Sequence, residues 1–128
     1  MRALLDTHVL LWLRSGDERL PQRWRKVLLG RADQLHFSAA SAAEISIKFA
    51  SGKLKLPQPP KEFVPFMISD LRLRTLPISL QDTLTVSTLP LHHGDPFDRL
   101  LVAQAMSESL PLITADPHMS RYDIQILW

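Results

Sequence analysis

The apolar positions change period along the chain. Ala3, Leu4 and Leu5 form a run without alternation that ends on Asp6, which predicts a short strand over Arg2 to Asp6. Val9, Leu10, Trp12 and Leu13 then follow helical spacing up to a glycine stop at Gly16. Leu20, Trp24, Val27 and Leu28 repeat that spacing with Arg23, Arg25 and Lys26 between them, the pattern of an amphipathic helix starting near Pro21. Leu35 to Phe37 is a brief strand candidate. Ser41 is placed to open a third helix that runs to about Ser51 and stops at Gly52, before a proline-rich loop over 53–60. Phe63, Phe66, Met67 and Leu71 predict a helix from Glu62 with Pro65 in its first turn. Arg74 to Ile78 reads as a strand, Ser79 as the cap of a helix over 80–88, and Asp95-Pro96 as the start of a helix reaching about Ser109. Leu110 to Thr114 is another short apolar strand, and the chain closes on the apolar run Ile124 to Trp128. Short strands without alternation, separated by helices, describe an α/β fold with a parallel sheet covered on both faces.

Composition narrows the chemistry. With 128 residues, 45% of them hydrophobic and 22% charged, the chain has the length of one globular domain spanning 1–128. The absence of cysteine excludes disulfides, thiolate zinc sites, iron–sulfur clusters and a cysteine nucleophile. Only four glycines are present and none form a phosphate-binding GxGxxG or GxxxxGK[ST] loop. Fifteen Lys and Arg against thirteen Asp and Glu give a formal net charge of +2, too small to identify a polyanion partner. No apolar stretch approaches the roughly 18 residues of a membrane helix, and Asp6 spoils a signal-peptide reading, so a cytoplasmic, membrane-free protein is expected.

The acids carry more information than the total charge. In an open α/β sheet, the ligand crevice lies beyond the carboxyl ends of the strands. Asp6 follows the first strand and Asp116 follows the Leu110–Thr114 strand, while Glu44 and Asp98 fall in the first turns of their expected helices. Each has an ordinary structural reading: Asp6 as a helix cap, Asp116 as a turn starter before Pro117, Glu44 as the partner of Ser41 in a capping box, and Asp98 as a helix-dipole acid behind an Asp95 cap. Asp98, however, tops a stripe of Leu101, Val102 and Ala105 that must face the core. Several carboxylates gathered there would oppose one another's ionisation, a conflict that a divalent cation resolves. Oxygen-only ligands suit Mg²⁺ or Mn²⁺, with metal-activated water attacking a phosphodiester.

Four stretches together resemble a known family: Leu4-Leu-Asp6-Thr-His-Val-Leu-Leu-Trp12, Ser41-Ala-Ala-Glu44-Ile-Ser-Ile-Lys48, His92-His-Gly-Asp-Pro-Phe-Asp98-Arg-Leu-Leu-Val-Ala-Gln-Ala105 and Leu112-Ile-Thr-Ala-Asp116. They look like the PIN domain of VapC-type toxins from bacterial toxin–antitoxin pairs. The resemblance implies a three-layer α/β/α domain and a magnesium- or manganese-dependent endoribonuclease. By the same likeness, Asp6, Glu44 and Asp98 form the metal site and Asp116 completes it. It also implies an RNA substrate, a cognate antitoxin whose tail covers the acids, and a homodimer.

Other residues have competing readings. Thr7 and Thr114 flank two of the acids and are placed to bond to them or to water. Arg19, Arg23, Arg25 and Lys26, and Lys48, Lys53 and Lys55, could contact phosphates, although a solvated helix face explains most of them. His92 and His93 read as loop residues or hydrogen-bond partners rather than metal ligands, and His8 as structural. Trp12, Trp24, Phe49, Phe63, Phe66 and Met67 are either core or, where exposed, a groove for a partner. Two rivals to the ribonuclease stand beside it: a non-catalytic binding module, and a nuclease or phosphatase acting on another phosphoester.

Overall fold

Five short strands, β1 (Ala3–Leu5), β2 (Leu35–Ser38), β3 (Arg74–Leu76), β4 (Leu112–Ile113) and β5 (Ile126–Leu127), pair in parallel throughout, in the order β3-β2-β1-β4-β5. The computed structural model describes residues 2–30 and 34–128. Among these residues six α-helices join the strands: α1 (Thr7–Ser15) and α2 (Gln22–Gly30), α3 (Ala39–Ala50) and α4 (Pro60–Asp70), then α5 (Leu80–Thr85) and α6 (Pro96–Glu108). The chain steps from β1 outward to β3 and returns past β1 to β4, so the direction of winding reverses between β1 and β4. Crevices open at such a reversal because the connections on its two sides leave the sheet in opposite directions.

Side chains of the central strands alternate between two apolar layers. Ala3, Leu5, Leu35, Phe37 and Ile113 join Val9, Leu10, Leu13, Ile45, Phe63 and Met67 on the face covered by α1 to α4. Leu4 and Leu112 point the other way, to Leu101, Val102 and Ala105 of α6. With both faces covered, every position in β1 and β2 is buried, which is why those strands carry no period-two signal in the sequence. The result is the three-layer α/β/α arrangement.

Several boundaries depart from the sequence reading. The strand expected over Leu110–Thr114 is only Leu112–Ile113, and the helix expected over 80–88 tightens into a 3-10 turn at Val86–Thr88. Helix α3 starts two residues before Ser41 because Ser38 is the N-cap, its hydroxyl accepting from the Ala40 amide at 2.9 Å. Pro65 lies inside α4 rather than in its first turn. The helix tolerates it because Pro65 and Lys61, whose carbonyl loses its partner, both lie on the solvent side. Arg19 precedes α2 instead of joining its basic face.

Candidate functional site

Asp6 sits where β1 stops, and its backbone is extended at the N-cap position of α1, yet its side chain caps nothing. The ordinary reading of Asp6 as a helix cap is therefore wrong. Its Oδ2 accepts instead from the Thr114 hydroxyl at 2.8 Å, across the β1/β4 reversal, and its Oδ1 is buried without a partner. Asp6 is only 3% exposed. Burial, with a further push from Glu44, raises its pKa above the ordinary 3.8 despite the Thr114 hydrogen bond.

Glu44 lies one turn deeper in α3 than expected. With Ser38 rather than Ser41 as the cap, Glu44 is past the first turn and the capping-box reading fails. Its Oε2 receives Lys48 Nζ at 2.5 Å, an i,i+4 pair, while Oε1 is buried and unpartnered. The hydrogen bond to Glu44, with attraction from Glu44, Asp95 and Asp98, raises Lys48 above its ordinary value. Lys48 is thus tied into the acidic region rather than free on a solvated face. Ser41 is buried and accepts the Thr7 hydroxyl proton at 2.7 Å, so Thr7 braces α1 against α3 and does not touch a carboxylate.

Asp98 and Asp95 divide their work as the sequence suggests. Asp95 caps α6, its Oδ1 accepting from the Phe97 and Asp98 amides. This leaves the Asp98 side chain without a capping duty, above a face on which Leu101, Val102 and Ala105 are buried. Asp116 does act as a turn starter, accepting from the His118 amide at 2.9 Å, but it is half-buried beside Asp98. One oxygen each of Asp98 and Asp116 and one ring nitrogen of His93 lie within 4.8 Å of one another. Asp6 and Glu44 fall outside that trio but within its electrostatic reach. Burial first, then the charges of Asp6, Asp95, Glu44 and Asp116, push the Asp98 carboxyl from 3.8 up to about 8.

The charges of Asp6, Glu44 and Asp116 all reach Asp98, but of the four acids expected at the sheet edge only Asp98 and Asp116 stand in the close trio. The sequence reading set His93 aside as a ligand and never placed Arg99 or Tyr122. Arg99 is buried, and its guanidinium donates to the Val86, Leu89 and Pro90 carbonyls and to the Tyr122 hydroxyl. The signal was Arg99 itself, an arginine within an otherwise core-facing helix stretch, which demands buried acceptors. Of the basic residues, Arg25 donates to the Leu13 and Asp17 carbonyls and Arg19 pairs with Asp17, whereas Arg23, Lys26, Lys53 and Lys55 are solvent-exposed.

This site can hold a divalent cation. Two buried carboxylate oxygens lack partners, which is costly for a group left empty, and the surrounding donors are hard oxygens of the kind Mg²⁺ and Mn²⁺ prefer. Helix α1 and the 54–58 loop border a groove of about 390 Å³ lined by Leu11, Trp12, Leu54, Leu56 and Phe63, with exposed His8, whose charge reaches Asp6, at its wall. Phe63 and Met67 are core, Trp12, Trp24 and Phe49 are half-buried, and Phe66 is exposed. Trp24 stacks on Trp128 at 5.8 Å between ring centres. Among the described residues no helix is long and apolar enough to cross a membrane.

Solved structures share this architecture. Over 99% of this chain and 98% of the other, the fold is similar to VapBC2 from Rickettsia felis bound to a DNA fragment from their promoter, with a TM-score of 0.74 at 18% identity. DNA-bound VapBC from Salmonella typhimurium gives 0.73 at 20% identity over 99% and 97% of the two chains. FitAcB from Neisseria gonorrhoeae gives 0.64 at 19% over 98% and 96%. No curated protein matches the chain. The family model of the PIN domain matches residues 3–125, nearly the whole sheet and every acid of the crevice, and the chain belongs to the PIN domain family, whose members are generally nucleases.

Proposed function

We propose that the protein is a metal-dependent endoribonuclease, the toxin of a toxin–antitoxin pair, in which Asp6, Glu44, Asp98 and Asp116 hold Mg²⁺ or Mn²⁺. The observation that carries the reading is the two orphaned, buried oxygens, Asp6 Oδ1 and Glu44 Oε1, of acids whose charges act on an Asp98 carboxyl raised to about 8. When bound, such a cation supplies a Lewis acid that makes its water a nucleophile near neutral pH and offsets charge on the phosphoryl oxygens. The protein's own groups have separate tasks. Asp6 and Glu44 offer their unpartnered oxygens from two elements that Thr7 and Ser41 bolt together. Thr114 fixes the rotamer of Asp6 by taking its other oxygen. Asp98 and Asp116 present further oxygens from the opposite side of the crevice, and Lys48 offsets part of the charge on Glu44.

Two partners belong to this reading. The apolar groove at Trp12 and Phe63 is a seat for an antitoxin segment, a reading supported by the similarity to the VapBC and FitAcB structures. The pairing of two copies is supported by Leu80 and Leu84, which lie one turn apart on α5 at 76% and 58% exposure. The test is to offer the purified protein RNA, DNA and small phosphoesters side by side, with Mg²⁺ or Mn²⁺ and with a chelator. Cleavage confined to RNA and stopped by the chelator is expected. Cleavage of DNA alone, or RNA cleavage that survives the chelator, rejects the assignment.

A further inference from the structure

His93 reaches the acidic crevice from a fixed support. Arg99 can only donate, so the Tyr122 oxygen accepts from Arg99 Nη1 at 3.1 Å. With Arg99 donating to its oxygen, the Tyr122 hydroxyl has its own proton to give to His93 Nδ1, 2.8 Å away, the arrangement that leaves no hydroxyl proton unused. In the neutral ring, a nitrogen that accepts a hydrogen bond carries no proton, so the proton lies on the other one, Nε2. That atom is buried, has no hydrogen-bond partner, and stands 3.5 Å from Asp98 Oδ2. Every member of the support is held in turn. Arg99 is anchored by three backbone carbonyls of the segment leading to His93, Tyr122 is 4% exposed, and His92 packs edge-on against the Tyr122 ring at 4.9 Å.

Resting on the metal-dependent reading above, we infer that His93 is a positioning residue for Asp98, its Nε2–H placed 3.5 Å from Oδ2 so that a small approach makes it that oxygen's donor, and is not itself a metal ligand. A ligating nitrogen must present a lone pair, and the Arg99–Tyr122 chain commits the lone pair of His93 to the Tyr122 hydroxyl. The trio of His93, Asp98 and Asp116 is therefore close enough to bind a cation with three ligands but is wired to bind it with two carboxylates and a donor behind one of them. A donor on Oδ2 would leave the other oxygen of Asp98 to the cation. Partners of this kind typically contribute about tenfold to a hundredfold in metal affinity.

The test binds Mn²⁺ alone to chelator-treated protein, with titration calorimetry for affinity and pulsed EPR for coordinated nitrogen. Wild-type protein should bind Mn²⁺ without a directly bound nitrogen. His93→Ala should bind about tenfold more weakly, and His93→Gln, which keeps an N–H donor, should recover most of that loss. Metal-free melting of both variants separates a folding defect from a binding one. A nitrogen coupling that disappears in His93→Ala would make His93 a ligand and overturn the inference. So would wild-type affinity in His93→Ala, or His93→Gln binding as weakly as His93→Ala. Failure of the wild-type protein to bind Mn²⁺ at all would instead overturn the metal-dependent reading, and this inference with it.

Discussion

Asp98 and Asp17 are the same residue type in opposite situations. Asp17 is fully served: Arg19 gives it a side-chain pair at 3.1 and 2.7 Å and a backbone amide at 2.9 Å, and its carboxyl falls to about 2. Asp98 is buried, feels the charges of four other carboxylates and has the His93 ring 3.5 Å away, and its carboxyl rises to about 8. The exposed pair is a local clip within the turn between α1 and α2, its two partners only two residues apart. At the crevice, nothing among the described residues neutralises the acids fully, although the chain carries fifteen Lys and Arg. Chains normally pair or protonate such groups. Leaving them crowded makes structural sense when the missing charge arrives from outside.

The largest expected effect breaks the comparison at its acidic end. Asp98→Asn or Asp6→Asn should lower metal-dependent RNA cleavage by about a hundredfold or more while the metal-free variant melts no lower than the parent, because the substitution removes repulsion. Cleavage assays and chelated melting curves check the two halves separately.

The next effect is a pH dependence of opposite sign in the two regions. An acid raised from 3.8 to about 8 in the folded state stabilises the fold fully below pH 3.8, and that contribution is lost as pH climbs toward 8. Metal-free protein should therefore lose melting temperature between pH 4 and pH 8, as Asp6 is shifted in the same direction, and saturating Mg²⁺ should restore it at the alkaline end. Asp98→Asn should flatten the slope. Asp17 works the other way: its contribution is present above pH 3.8 and lost as pH falls toward 2.

A smaller change tests how the crevice is held. Thr114→Val keeps the side-chain shape but removes the donor to Asp6 Oδ2, and should weaken Mn²⁺ binding by about tenfold with the fold retained. Smallest of all, Asp17→Asn should leave cleavage unchanged, since the clip lies in the exposed turn between α1 and α2 and its ion pair is screened by water. A loss of activity there would mean that the two regions are coupled.

Much of this arrangement was legible in the residues. Apolar runs gave the parallel sheet, Asp95-Pro96 located the start of α6, and the Leu101, Val102 and Ala105 stripe showed where Asp98 must sit. What misled was local vocabulary. Ser41 and Glu44 spell a capping box, but Ser38 at the end of β2 is held by its pairing to β3 and begins the helix earlier. Ser38 also donates to Gln104 of α6, a partner 66 residues away. The support of His93 was out of reach for the same reason. Arg99 and Tyr122 lie 23 residues apart and meet only because the 3-10 turn at Pro117–Arg121 returns the chain over α6. Short-range rules locate elements, while contacts between elements decide which polar group serves which.

The most direct test of the central claim, that the crowded acids await a divalent cation, is calorimetric titration of Mg²⁺ into chelator-treated protein at pH 7 in two buffers of different ionisation enthalpy. Because the Asp98 carboxyl is raised to about 8, the account predicts binding accompanied by proton release, with the release reduced in Asp98→Asn. No binding, or binding whose proton count is zero in the parent and the same in the variant, would contradict it.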